Sequence, residues 1–380
     1  MDYDLSPEHE AFRRVVREFA EKEIAPHAAR WDEEHSFPVE TVRAMGELGL
    51  FGLVFPEEFG GSGGDFASLC IAIEEIGRVD QSMGITLSAG VGLGANPIFT
   101  FGTDDQKQRW LPDLVAGRAL GAFGLTEPGA GSDAGATQTR ARDEGDGWIL
   151  DGSKSFITNC GTPITSIVTV TARTDDGGIS TFVIEAGTPG LVIEPPYRKL
   201  GWHASDTHGI ALEGCRVGQE NLLGQRGAGL RNFLSILDDG RIAISALALG
   251  CARACLEQAV AYSKERSAFG RPIGSNQSIA FALADLAVAV ENATNLTYKA
   301  AWLKQHARPF TQAAAYAKLY STETAVNATR LATQVFGGAG FIEDSPVARF
   351  YRDAKILEIG EGTSEIQRLV ISRGLGLPVP

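Results

Sequence analysis

Ile167-Val168-Thr169-Val170-Thr171 is an unbroken run of β-branched residues in the middle of a chain whose two ends carry the opposite signature. Two substituents on Cβ restrict χ1 and favour a pleated strand over a helix. Shorter runs of the same kind surround it: Trp148-Ile149-Leu150, Thr181 to Ile184 and Leu191-Val192-Ile193. Asp146-Gly147 and Asp176-Gly177-Gly178 supply turns between them. Composition shifts near Gly121, so residues 122–228 read as a compact β domain, a barrel or sandwich.

Outward from that centre the period changes from two to 3.6. On the N-terminal side, Ser6-Pro7 is an N-cap followed by proline at the first helical position, and Phe12, Val15, Val16 and Phe19 share a face. Further helices are expected over 39–48, over 67–79 and after Asp104-Asp105. On the C-terminal side, alanine-rich segments over 230–264, 277–306, 311–336 and 347–357 predict helices that pack closely. The fold class is therefore α+β multidomain: a helical domain over 1–121, the β domain over 122–228 and a four-helix bundle over 229–380. This order fits neither a doubly wound sheet nor a (β/α)8 barrel.

The 380 residues are 44% hydrophobic and 21% charged, ordinary for a globular protein, with a net charge of -13. That acidity argues against broad contact with nucleic acid or an anionic membrane. Cys70, Cys160, Cys215, Cys251 and Cys255 are an odd, dispersed set, which predicts buried thiols in a reducing compartment rather than a disulfide framework. The histidines form no ligand grouping, so no metal is expected. The acidic N-terminus lacks the pattern of a signal or transit peptide, and runs such as Ile242 to Leu249 are short for a membrane span; a cytoplasmic location is expected.

Candidate chemistry sits in five separated motifs. Gly360-Glu361-Gly362-Thr363-Ser364-Glu365 holds one carboxylate between glycines, ahead of a helix that Thr363 can cap. Glu361 is a candidate general base there, or a solvated loop acid. Leu125 to Asp133 offers hydroxyls and glycines able to cradle a phosphate or the edge of a flat heterocycle. Phe156 and Thr158, two apart on a strand, can stack on and hydrogen-bond a planar ring, or simply pack. Arg241 after Asp238 and Asp239 can bind a carbonyl or phosphate, or pair with Asp238. Arg266 to Gly270 joins a cation to an aromatic, with Gln277 close behind. Gln334 to Phe341 ends a helix in glycines, but neither it nor Gly90 to Gly94 follows a strand, so neither is a dinucleotide fingerprint.

Together, in this order and on this helix–β–helix layout, Leu125 to Asp133, Phe156 to Thr158, Arg266 to Gly270, Gln334 to Gly338 and Glu361 to Gln367 resemble the acyl-CoA dehydrogenase family, most closely its short-chain and bacterial members. The resemblance implies FAD-dependent α,β-dehydrogenation of an acyl-CoA. Glu361 would remove the α-proton while the β-hydride passes to flavin N5. It also implies that Phe123, Gly124, Leu125, Thr126, Gly131 and Ser132 line the flavin, that Phe156, Ile157 and Thr158 pack on its ring, and that Thr363, Ser364 and Glu365 complete the site. Arg266, Phe269, Gln277, Gln334, Val335, Phe336, Gly337 and Gly338 would reach the cofactor of a neighbouring subunit in a homotetramer. Ser132, Asp238, Asp239, Gly240, Arg241, Gly362 and Arg373 would contact the acyl-CoA. An electron-transferring flavoprotein is the implied acceptor.

Some members carry the base just before the helix arginine, where this chain has Gly240. Phe156 replaces a frequent tryptophan. Gly360 replaces a frequent tyrosine, which predicts a pocket widened for branched acyl groups. An oxygen-using acyl-CoA oxidase, or a flavin- or acyl-CoA-binding protein without turnover, are the competing readings.

Overall fold

The computed structural model describes residues 5–379. Its first region holds α1 (Pro7–Phe19), α2 (Ala28–Glu34), α3 (Val39–Glu47), α4 (Phe66–Val79), α5 (Gln81–Ala89), α6 (Asn96–Phe101) and α7 (Asp104–Val115). Ser6 caps α1 as expected, its side chain accepting from the His9 amide with Pro7 in the first turn. Asp65 and Asp80 cap α4 and α5 in the same way. α5 and α6 were hidden from the sequence by Gly90, Gly92 and Gly94. Those residues lie in a wide π-type turn, Gly90–Ala95, that carries α5 into α6, and such turns often mark functional sites.

The middle region is one eight-stranded sheet: β1 (Leu120–Gly124), β2 (Arg140–Asp143), β3 (Gly147–Thr158), β4 (Thr165–Thr174), β5 (Ile179–Glu185), β6 (Leu191–Pro196), β7 (Thr207–Gly218) and β8 (Leu222–Leu223). The strand order is β6-β7-β3-β2-β4-β5-β8, with β1 added in parallel to β4. The opening run of β-branched residues lies within β4, paired antiparallel with β5 through Thr169–Val183 and Val170–Phe182. Trp148, Val170, Phe182 and Cys215 fill a core private to this sheet. Four of its strands escaped sequence reading, among them the short, charged β2 and the two-residue β8. β7 is interrupted by Gly209 and Gly214, and β1, whose Gly121 and Gly124 weaken the pattern, begins ahead of residue 122.

The third region comprises α8 (Gly229–Glu265), a short hairpin of β9 (Ser267–Ala268) and β10 (Arg271–Pro272), then α9 (Gln277–Gln305), α10 (Thr311–Phe336), α11 (Pro346–Ala354) and α12 (Ser364–Gly374). The helix expected over 347–357 is shorter. α11 stops at Ala354, and a tighter 3₁₀ turn, Lys355–Glu358, leads into the glycines. α8 is the spine, packing on α4, α9 and α10. A Cβ on its Gly250 would come within 2.3 Å of the Glu74 carbonyl in α4, so the two backbones cross nearly in contact. Glu74 then ties three elements together, with Arg253 Nε at 2.6 Å and the Tyr298 hydroxyl donating at 2.5 Å.

The apolar stretch around Ile242 to Leu249 is part of a longer helix. Two helices, α8 and α9, are long and apolar enough to cross a membrane by length and composition. A helix packed in a protein core meets the same test. In α8, 78% of that apolar stretch is buried inside this chain; in α9 only 22% is, and Phe281 and Val288 stand exposed.

Candidate active site

The Gly360–Gly362 turn lies between the 3₁₀ turn and α12. Thr363 caps α12, its hydroxyl accepting from the Ile366 amide at 3.2 Å. Glu361 itself adopts a left-handed backbone, φ 55°, unusual for a residue with a Cβ, and Gly362 follows at φ 88°. Two buried groups hold the turn from behind. Lys318 of α10 donates through Nζ to the carbonyls of Leu357 and Gly362, both at 2.8 Å, and Gln367 donates to the Gly362 carbonyl at 2.8 Å. Gln367 closes the Glu361 motif but was given no role from sequence, and Lys318 was not singled out at all. The available signal was a lysine on the alanine-lined inner face of α10, between Ala314 and Ser321.

The turn drives the Glu361 carboxylate against α8. A Cβ on Gly240 would lie 2.6 Å from Glu361 Oε2. That oxygen is sealed from solvent and, among the described residues, has no hydrogen-bond partner. Burial pushes the Glu361 pKa up to about 7, against the opposing pull of Lys318 and Arg241. Burial likewise brings Lys318 down to about 8. A carboxylate near neutrality with one oxygen buried and unpartnered among the described residues is poised to take a proton.

Two cavities lie along different faces of α8 close to this turn, one lined by Arg241 and Ile366 and the other by Gly240. One, about 420 Å3, is lined by Ser132, Asp238, Arg241, Leu234, Ile366 and Arg373 among others. It brings together Ser132, Asp238, Arg241 and Arg373 from three distant stretches. The surface ion pair considered for Arg241 exists, with Asp238, but the guanidinium is buried and its Nε has no partner among the described residues. The second cavity, about 390 Å3, is lined by Asp239, Gly240 and Ala243 of α8, by Ser88, Val91, Asn96 and Phe99, and by Phe55 and Phe66. Both volumes fall in the lower range of small-molecule pockets, roughly 300 to 1,000 Å3.

The Leu125–Asp133 loop is pinned from beneath. Buried Glu127 accepts from the amides of Gln138 and Thr139 and pairs with Lys154 Nζ at 2.7 Å, and Lys154 also donates to the Leu125 carbonyl. The Ser155 amide donates to the Thr126 carbonyl at 2.8 Å, joining this loop to β3 beside Phe156. A Cβ on Gly129 or Gly131 would meet nothing within 4 Å, so the top of the loop faces open space.

Phe156 and Thr158 do share the outer face of β3, but through a bulge. Phe156 has φ 62° and the pairing with β7 shifts between Lys154 and Ile157. Its ring is 67% exposed, 5.2 Å from that of Tyr197.

Not every candidate side chain is free for a ligand. Ile157 is in the sheet core, Phe123 stacks on Phe233 at 3.8 Å, Val335 is in the helical core and Phe336 stacks on Tyr262 at 4.2 Å. Any ligand contact by Ile157, Val335 or Gly124, whose built Cβ would strike Val170 at 2.9 Å, has to be through backbone. Gln334, Gly337 and Gly338 lie at the exposed end of α10. Arg266, Phe269 and Gln277 lie around the β9–β10 hairpin, whose tip Phe269 is fully exposed with φ 52°. Glu365 is exposed in the first turn of α12, and Ser364 Oγ is buried there without a partner among the described residues.

The exposed aromatic face of Phe156, the open backbone of the Leu125–Ser132 loop and the orphaned Ser364 hydroxyl suit a flat heterocycle carrying hydrogen-bonding edges.

Three family models match in sequence order: the N-terminal domain of acyl-CoA dehydrogenase over residues 6–118, its middle domain over 122–215 and its C-terminal domain over 227–376. The chain belongs to the acyl-CoA dehydrogenase family of flavoprotein oxidoreductases. It is 51% identical over 378 residues to a probable acyl-CoA dehydrogenase, YngJ, of Bacillus subtilis, covering 99% of this chain and 100% of that one. It is 46% identical to the mitochondrial short-chain specific acyl-CoA dehydrogenase of Mus musculus, covering 97% and 90%.

Among solved structures, butyryl-CoA dehydrogenase from Megasphaera elsdenii matches with TM-score 0.96 and 44% identity, covering 99% of this chain and 100% of that one. A chain from a structure of the electron transferring flavoprotein of Acidaminococcus fermentans matches with TM-score 0.96 and 45% identity, covering 99% of each. A glutaryl-CoA dehydrogenase from Mycobacterium smegmatis in complex with FADH2 matches with TM-score 0.94 and 31% identity, covering 98% and 95%.

Proposed function

We propose that the protein oxidises a short- to medium-chain or branched acyl-CoA to the trans-2-enoyl-CoA, with Glu361 as the base that takes the α-proton. The observation that carries this reading is the Glu361 carboxylate, pressed against Gly240 with its Oε2 sealed from solvent and unpartnered among the described residues. In this reading the CoA moiety runs past Ser132, Asp238, Arg241 and Arg373, and the acyl chain enters the cavity beyond Gly240. A thioester α-proton is too weakly acidic for an unaided carboxylate, so the enolate charge needs fixed donors; the Glu361 backbone N–H serves as one. Each such donor is typically worth about 3 to 4 kcal/mol, and the positioned base adds roughly 10² to 10⁴-fold. FAD, when bound, supplies the hydride acceptor. The residues that fit it are the Leu125–Ser132 backbone, Phe156, Thr158 and Ser364, with Arg266, Phe269, Gln277, Gln334 and Gly337–Gly338 reaching a neighbouring subunit's cofactor.

A homotetramer gives those exposed residues their role. Phe269, Phe281, Val288 and Phe341 are large apolar side chains left in solvent by one subunit. The electron acceptor is an electron-transferring flavoprotein, a reading supported by the likeness to the Acidaminococcus fermentans chain.

The test is anaerobic mixing of the yellow holoenzyme with butyryl-CoA, following flavin absorbance. Wild type should bleach. Glu361→Gln should stay yellow and still bind the thioester, and rapid bleaching in that variant removes Glu361 from the role. Stoichiometric peroxide under air without any carrier would favour the oxidase reading instead.

A further inference from the structure

The cavity beyond Gly240 is not uniformly apolar. Asp239, the neighbour of Gly240 on α8, faces into it with Lys304 Nζ 2.7 Å from Oδ1 and Asn96 Nδ2 donating at 3.2 Å to Oδ2. The Lys304 ammonium sits over the Phe66 and Phe310 rings, 4.8 and 5.6 Å from their centroids, and Asp239 is the only acceptor it reaches among the described residues. An ammonium has three donors and a carboxylate about four acceptor sites, so both members keep unspent capacity toward the cavity. Asp65, the other carboxylate in the wall, is occupied by the Ser68 amide and hydroxyl and by His9. Gly240, which lines this cavity next to Asp239, is also the residue against which the Glu361 carboxylate rests, so the polar wall lies on the same helix as that contact.

We propose that the acyl group this enzyme prefers ends in an uncharged group that both donates and accepts hydrogen bonds, a hydroxyl, seated between Asp239 and Lys304. The inference rests on the dehydrogenase reading above and names its substrate class. A methyl terminus would strip water from a part-buried ion pair and return nothing to it. A carboxylate terminus would meet Asp239, and an ammonium terminus would meet Lys304. A hydroxyl donates to the one and accepts from the other without disturbing their pairing. Asp239 and Lys304 are thus specificity-determining residues, apart from the proton transfer at Glu361.

The experiment uses the holoenzyme and four thioesters of matched length: hexanoyl-CoA and pentanoyl-CoA derivatives ending in hydroxyl, carboxylate or trimethylammonium. Anaerobic bleaching is read first, then kcat/KM with an artificial one-electron acceptor. The hydroxyl-terminated substrate should exceed hexanoyl-CoA by about ten- to a hundredfold, the range for hydrogen bonds to charged groups. Asp239→Met should reverse that ratio, and Asp239→Asn, which keeps the shape, should retain part of it. Preference of the wild type for the hexanoyl, carboxylate or ammonium terminus overturns this inference while leaving the dehydrogenase reading intact, as does an unchanged ratio in Asp239→Met. A holoenzyme bleached by butyryl-CoA but by none of the four overturns this inference alone, and one that butyryl-CoA also fails to bleach overturns the dehydrogenase reading with it.

Discussion

Gly240 of α8 and Glu361 of the turn before α12 fit each other so closely that a single methyl group at 240 would stand 2.6 Å from Glu361 Oε2. The absence of a side chain at one position fixes where the carboxylate rests at the other. Gly240→Ala should therefore push the carboxylate aside while barely perturbing α8, since alanine is the better helix former. Displacing a reacting group by about 1 Å costs on the order of a hundredfold. The expected result is a fall of that size in the anaerobic bleaching rate, with flavin content and melting temperature near wild type. An unchanged rate would show that the carboxylate has another seat.

The pH profile follows from the burial of Glu361. Its pKa is held up to about 7, so the base is protonated and idle below that value and ionised above it. The logarithm of kcat/KM should climb with unit slope as pH rises toward about 7 and level off beyond. Bound substrate excludes more water, which moves the rising limb of kcat to higher pH. Stopped-flow bleaching across the range measures both, and a flat profile below neutrality contradicts the assignment.

Gly360 leaves real space. A Cβ there would meet only the Ile356 carbonyl, at 3.6 Å. Gly360→Tyr should lower kcat/KM for isobutyryl-CoA relative to butyryl-CoA by about tenfold or more, the scale of one methyl group against a filled wall. If the ratio does not move, the glycine plays no part in admitting branches.

A second buried acid sets a stability profile unrelated to catalysis. Asp353 of α11 is fully buried, accepts from the Trp202 amide at 2.6 Å, and is raised to about 7 by burial and by the nearby Asp80 carboxylate, with Arg349 opposing. Asp32 also faces it, though Arg352 and His203 pair with Asp32. A folded-state pKa raised above the unfolded value means the folded protein holds a proton that the unfolded chain gives up. The stability it contributes is complete below about pH 4 and lost as pH rises through about 7. Asp353→Asn, which keeps the acceptor, should flatten the decline in melting temperature between about pH 5 and 8. An unaltered slope would mean that the proton is held elsewhere in the cluster.

Local chemistry made the architecture legible. Ile167 to Thr171 announced β4, and the caps at Ser6 and Thr363 and the ends of α9 and α10 follow from side chains within a turn of the element they bound. The motifs holding Glu361, Ser132 and Arg373 were equally visible, because glycine, hydroxyl and charge stand out in sequence. What sequence did not carry is long-range. Lys318 reaches Glu361's turn across forty-odd positions, and Asn96, Asp239 and Lys304 meet only after three helices have packed. The packing of the aromatic candidates is equally long-range: the rings of Phe336 and Phe123 stack on Tyr262 and Phe233. The left-handed backbones of Phe156 and Glu361 also lay beyond reach, since neither residue type favours that geometry and only surrounding contacts enforce it.

Lys318, near the start of α10, grips the backbone of the catalytic turn, and Gln334 stands at the far end of the same unbroken helix. Sixteen residues of rise place the two roughly 24 Å apart on one stiff rod. One continuous helix therefore joins the group that holds the Glu361 turn to the glycine-rich end at Gly337 and Gly338.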